Sequence, residues 1–202
     1  STWVLNAANT YAGSTQIQSG TLKLRATCVS SDFINEAASN TIVFTNDSVT
    51  QTAGGTMEFR GFLNTATTET LGALTPTAGA AKIVAAANGT GSTTLTFSSL
   101  GTRGAGAVVD YQPGASSTIA FTTLPTVTNG ILGAASTSAF QTFKGVDWAT
   151  LSGSNVVAFS GYTALPTSFS GTGGAAVNYS MSANASSTGT ASINTVKLVG
   201  AG

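Results

Sequence analysis

Histidine is absent from this chain of 202 residues, and charge is scarce: Asp, Glu, Lys and Arg together make up 7%. A typical globular domain carries about 25%. The seven basic and seven acidic residues cancel. With no basic excess there is no patch to hold phosphates, so nucleic acid is excluded as a partner. Without histidine the chain lacks the commonest metal ligand and general base. The single cysteine, Cys28, cannot form an internal disulfide. It reads as a buried thiol, with an intermolecular bridge as the alternative. No apolar run is long enough to span a bilayer as a helix, so membrane insertion is not expected. No initiator methionine or signal peptide is present, leaving open a mature subunit or a piece of a longer chain.

What is there is small, polar and β-forming. Hydrophobic residues make up 42% of the chain, enough for the core of a single domain over residues 1–202. Ser, Thr, Asn, Gln, Gly and Ala must cover the surface. β-branched and aromatic residues recur at intervals, which a disordered chain would not show. Apolar alternation marks strands at Trp3–Leu5, Thr15–Ile17, Thr21–Leu24, Thr41–Thr45, Thr56–Phe59, Lys82–Ala85, Thr94–Ser98, Ala107–Tyr111, Thr118–Phe121, Val156–Ser160, Ala176–Met181 and Ser192–Val199. Gly, Asn, Ser and Pro clusters separate them. Helix signals are scarce, and Ser31–Ala38 is the best candidate.

Strings also repeat. TQIQSGTLKL (Thr15 to Leu24) aligns with TQTAGGTMEF (Thr50 to Phe59), TPTAGAAKIV (Thr75 to Val84) shares the T-x-T-A-G core, and GAGAVVDYQPG (Gly104 to Gly114) is a fainter copy. Such spacing predicts an all-β solenoid, a parallel β-helix-like stack of irregular coils. A β-sandwich or jelly-roll is the alternative. Coils of about 25 residues would give about eight layers. Neither end of the sequence carries a charged or proline-rich cap. The terminal edges, with Trp3 and Leu5 at one end and Val196 and Leu198 at the other, are therefore candidate assembly edges. Their partners would be copies of the same chain or flanking repeats. Lys23, Arg25, Glu58 and Arg60 fall near aligned positions and predict a charged stripe along one face.

The stretch Trp3 to Leu24 also carries W-x-L-x-x-x-N-T-Y-x-G-x-T-x-I-x-x-G-T-L-x-L, through Trp3, Leu5, Asn9, Thr10, Tyr11, Gly13, Thr15, Ile17, Gly20, Thr21, Leu22 and Leu24. It resembles the autotransporter-associated β-strand repeat of large bacterial surface proteins, departing at Ala12, where a second glycine is common. Ser92 to Tyr111, N-G-I-L-G at Asn129 to Gly133, and D-W-A-T at Asp147 to Thr150 are similar to the segment that accompanies those repeats. The resemblance divides the chain into repeat coils over 1–91 and a repeat-associated segment over 92–202. It implies a secreted or cell-surface address.

Catalysis has little to draw on. Asp32, Glu36, Asp47, Glu58, Glu69, Asp110 and Asp147 are scattered, whereas glycoside chemistry needs clustered carboxylates. No nucleophile elbow, zinc motif or phosphate loop is present. No catalytic residue, metal site or cofactor is assigned. Asp147 and Trp148 are a candidate ligand platform for glycans, with Asp110 and Tyr111 as a second loop of that kind. The competing reading packs Trp148 on Ile131 and Leu132 and spends Asp147 on turn amides. The four tyrosines are expected half-buried with wet hydroxyls. The sequence thus predicts a non-enzymatic extracellular structural protein, a repeat segment or fibre subunit, with an adhesin as the rival.

Overall fold

A computed structural model describes residues 1–5, 13–25, 42–44, 55–133, 141–166, 168–169, 174–182, 184, 186–187, 189 and 192–199. Ser31–Ala38, Cys28 and the repeat positions Asn9, Thr10 and Tyr11 lie outside the described residues. No helix occurs among the described residues, and the fold is an all-β solenoid.

The first stack is built from β1 (Thr2–Leu5), β2 (Thr15–Ile17), β3 (Gly20–Arg25), β4 (Ile42–Phe44), β5 (Gly55–Leu63), β6 (Thr67–Leu71), β7 (Leu74–Pro76), β8 (Ala80–Asn88), β9 (Thr93–Phe97), β10 (Val108–Pro113) and β11 (Ser117–Phe121). Successive coils stack their strands on shared faces. On the first face β1, β3, β5, β8 and β10 pair in parallel. A second face stacks β6, β9 and β11. The third stacks β2, β4 and β7, continued by a bridge from Leu74 to Leu100. These ladders continue across residue 91.

Register explains why these residues form these strands. In a parallel stack, residues at one level point the same way, so like sits on like. The inward column of the first face reads Trp3, Leu22, Met57, Ile83, Tyr111. Beside it runs Leu5, Leu24, Phe59, Ala85, Pro113. Leu24, Met57, Phe59, Ile83, Ala85 and Tyr111 are fully buried. On the second face Phe97 and Phe121 stack, with Tyr111 edge-on to Phe121. Where both faces are described, hydroxyls from the second-face strands β6, β9 and β11 staple the corner between them. Thr67 Oγ1 accepts from the Phe62 amide, Thr93 Oγ1 donates to the Ala86 carbonyl, and Ser117 Oγ accepts from the Ala87 amide. This is where the abundant Thr and Ser go: they satisfy corner backbone that water would otherwise have to reach.

One sequence expectation is corrected here. The copy at Thr75 to Val84 slips by one residue, since the ladder sets Met57 opposite Ile83 where the string alignment sets it opposite Lys82. An in-register string would turn Lys82 into the core, and burial decides against it. Coil lengths are unequal, as the irregular repeat spacing predicts. Thr2 to Thr21, Thr21 to Thr56, Thr56 to Lys82 and Ile83 to Tyr111 are steps of 19, 35, 26 and 28 residues.

After β11 comes a hairpin, β12 (Val127–Thr128) and β13 (Ile131–Leu132). Asn129 and Gly130 at its tip both have positive φ, 51° and 82°. That is the turn an Asn-Gly pair favours between antiparallel strands. Next, β14 (Thr142–Phe143) adds a last parallel rung to β10, placing Phe143 at the end of the Tyr111 column. Then the direction reverses. β15 (Asp147–Ser152) runs antiparallel to β14, and β16 (Asn155–Ala158) pairs with both β15 and β11. This hairpin covers the downstream edges of two faces at once. The first stack is therefore capped at that end by strand pairing.

A second, smaller stack follows. β17 (Thr163–Ala164), β19 (Asn178–Met181) and β21 (Thr195–Leu198) form one parallel sheet. β18 (Ser168–Phe169) and β20 (Ser186–Ser187) form another. Its coils are short, 16 residues from Thr163 to Tyr179 and 17 from Asn178 to Thr195.

Candidate functional site: two open edges and the Asp147 cleft

β1 ends the order of the eleven-stranded sheet, and β21 ends that of the three-stranded sheet. Among the described residues the outer side of each is unpaired. Trp3 is 72% exposed and Leu198 70%. Leu5 and Val196 are half-buried. A cleft of about 510 Å³ opens beside β1, lined by Trp3, Ile17, Leu22 and the polar Thr15, Gln16 and Thr21. Gly20, at φ +82°, sits so close under Ser1 that a Cβ there would lie 2.4 Å from the Ser1 carbonyl oxygen. Glycine at this place in the repeat lets the first rung close down on the second.

Asp147 and Trp148 stand at the joint between the two stacks, on β15. Asp147 is paired with Lys197 of β21, and Lys197 also lies 5.4 Å from the centre of the Tyr162 ring. The Trp148 amide donates to the Tyr162 hydroxyl at 3.2 Å, and Phe159 packs edge-on to Tyr162 at 4.9 Å. Burial pushes the Tyr162 phenol up. A cleft of about 190 Å³ touches Asp147, Trp148, Lys197 and Leu198. Trp148 is half-buried and Asp147 holds a lysine. The arrangement is a latch between the stacks.

The second platform is corrected. Tyr111 is fully buried, and its hydroxyl donates to Gln141 Oε1 in the core; burial pushes its phenol well up. Asp110 is spent on the β14–β15 turn. Its Oδ1 accepts from the Gly145 amide at 2.8 Å and the Thr142 hydroxyl at 2.9 Å. Part of the predicted charged stripe forms as a ladder: Lys23 and Glu58 face each other across β3 and β5 at 2.9 Å, with Arg25 level with Arg60. Glu69 is buried on the second face. No three acidic, histidine or cysteine residues are grouped for a metal among the described residues.

Sequence reasoning missed the latch partners Lys197 and Tyr162, and also Asn178. The Asn178 side-chain amide donates to the Asn129 carbonyl at 2.6 Å, while its oxygen accepts from Asn194 and Thr195. The N-G-I-L-G motif gains a physical meaning from this. Asn129 is held by the second stack, and a Cβ on Gly130 would lie 2.5 Å from the Phe159 ring. Ile131 and Leu132 are fully buried.

A comparison with known families finds a match in the first coil. Residues 1–24 match the Passenger-associated-transport-repeat family. The matched repeat comprises β1, β2 and nearly all of β3, the coil that carries the open edge. No curated protein and no solved structure matches the chain.

Proposed function

We propose that this chain is a non-enzymatic, secreted or surface-displayed segment of β-solenoid, working as a stiff spacer in a passenger-type surface protein. The passenger-associated repeat at residues 1–24 supports the address. The inward columns carry the mechanical reading. One apolar column runs from Trp3 to Phe143 through every parallel rung of the first face. Load along the stack is therefore shared by continuous ladders and a continuous core, the quasi-one-dimensional arrangement of solenoids. The polar groups that looked functional are used internally. Asp110 closes a turn, and Asp147 closes the latch. A nearly uncharged surface lets neighbours approach without repulsion.

Small-angle scattering and a glycan array on the purified chain test this reading. An elongated particle without specific glycan binding is the expected result. Specific binding that Trp148→Ala abolishes would replace the spacer with an adhesin.

A further inference from the structure

Net charge is zero, yet the charges are not evenly matched along the first face. Seven basic residues are present. Lys23 pairs with Glu58 and Lys197 with Asp147. Lys144 lies 5.6 Å from the centre of the Phe143 ring, and Arg103 donates to the Ala107 carbonyl. Lys82 is exposed on β8, level with Asp110. Arg25 and Arg60 remain. They stand level on the adjacent rungs β3 and β5, both exposed, and no acidic side chain pairs with either among the described residues.

Parallel register forces this pair together. Leu24 and Phe59, the residues before them, are fully buried, so the alternation turns both arginines outward. Their backbones are about 4.8 Å apart. Like charges directly opposite each other on a sheet are destabilising. Two residues upstream on the same face, Glu58 is held by Lys23 at 2.9 Å. Three cations and one anion leave this patch with an excess of two positive charges. On the next rung Val84 stands level with Glu58 and Ala86 with Arg60, and neither carries charge. Past Arg60 the ladder loses register until Leu63, so the strand bends away and leaves the arginine at a rim.

We propose that Arg25 and Arg60 together bind one phosphate monoester. Each guanidinium presents a fork of N–H donors that fits two oxygens of a phosphoryl group. A monoester carries about 1.5 to 2 negative charges at pH 7, which matches both arginines at once and removes their repulsion. A carboxylate or a phosphodiester carries a single charge and would satisfy only one of them. Nucleic acid therefore stays excluded, because its bridging phosphates are diesters and no basic track continues onto the next rung. The phosphate is recognised in the same way as a free ester or as the head group of a lipid. The site is independent of the spacer reading and fails separately from it.

Titration with two small probes tests it. Amide chemical shifts of the purified chain are followed by NMR at constant ionic strength, against methyl phosphate and against dimethyl phosphate. Two forks on one exposed group place half-saturation by methyl phosphate at about 1 mM in low salt. The shifts should cluster at the ends of β3 and β5. Dimethyl phosphate should bind at least about tenfold more weakly. Arg25→Gln and Arg60→Gln should each weaken methyl phosphate at least about tenfold, while Lys82→Gln, an exposed cation of the same face, changes it less than about twofold. The absence of a saturable shift, equal binding of the two probes, or arginine variants that bind like the parent overturns the site. Phosphatidylcholine vesicles carrying phosphatidic acid, a monoester, or phosphatidylglycerol, a diester, separate the sources. Beside a positive titration, capture by phosphatidic acid alone places the phosphate on a membrane, and no capture makes it a soluble ester; both uphold the site. Equal capture by the two lipids marks plain charge attraction and overturns it. Circular dichroism checks folding. Arg25→Lys and Arg60→Lys, which keep the charge and lose the fork, replace any glutamine variant that unfolds, and unchanged affinity in them overturns the site.

Discussion

Phe121→Ala is the sharpest test of the packed columns. Phe121 is fully buried at the last rung of the second face. Its ring centroid lies 5.9 Å from Phe97 and 6.2 Å from Tyr111. Its amide donates to Ser154 of the capping hairpin at 3.0 Å. Losing the ring forfeits about 1.5–3 kcal/mol of burial. The cavity adds to that, since rungs fixed by backbone ladders cannot collapse inward, and the total becomes about 3–5 kcal/mol. Phe121→Leu keeps most of the volume and should cost no more than about 1.5 kcal/mol. Urea unfolding followed by far-UV circular dichroism measures both. Hydrogen exchange should quicken in β11, β15 and β16 before it does in β3, because a stack couples mainly neighbouring coils. A loss below about 1 kcal/mol for the alanine variant, or equal losses for both, would refute the column argument.

Three further outcomes follow from the same geometry. Gly130→Ala should cost about 1–3 kcal/mol, because φ is +82° and the new Cβ meets the Phe159 ring; thermal melts read it. Lys197→Met should cost about 1–2 kcal/mol and speed proteolysis within 163–199, since it opens the partly buried latch with Asp147. Burial raises both Tyr111 and Tyr162 above the ordinary phenol value of 10.0, so the folded chain holds these protons more tightly than the unfolded one. Their stabilisation is complete below pH 10 and is lost as pH rises beyond it. Unfolding should thus coincide with phenolate absorbance in alkali, and Tyr111→Phe should weaken that dependence.

The parts of the fold written in apolar residues were legible in the sequence. The strand at Thr15–Ile17 has the predicted bounds, and Trp3–Leu5, Thr21–Leu24 and Thr118–Phe121 lie inside observed strands. Each carries its alternation in Leu, Ile, Trp or Phe. β6 was missed because its inward positions are Thr67, Glu69 and Leu71, so two of three buried side chains look like surface. β7 ends in Pro76, which reads as a breaker. The cap was hidden for another reason. β15 and β16 have the composition of any other rung, and the reversals lie in two short turns, at residues 144–146 and at Gly153 and Ser154. At the candidate edges, the strands at Trp3–Leu5 and Thr195–Leu198 could be read because their apolar alternation is plain in the sequence. The latch could not, since Asp147 and Lys197 are 50 residues apart and meet only through the second stack.

Whether the rungs are stacked in parallel is best tested by one distance. Val4, Lys23, Glu58, Val84 and Gln112 form a single outward column. Four rung steps of about 4.8 Å separate its ends, giving about 19 Å between the backbones of Val4 and Gln112. Spin labels at these two positions, in a Cys28→Ser background, should give a narrow distance distribution centred near that value by pulsed electron resonance. A centre beyond about 30 Å, more than six rung steps, would contradict the stack.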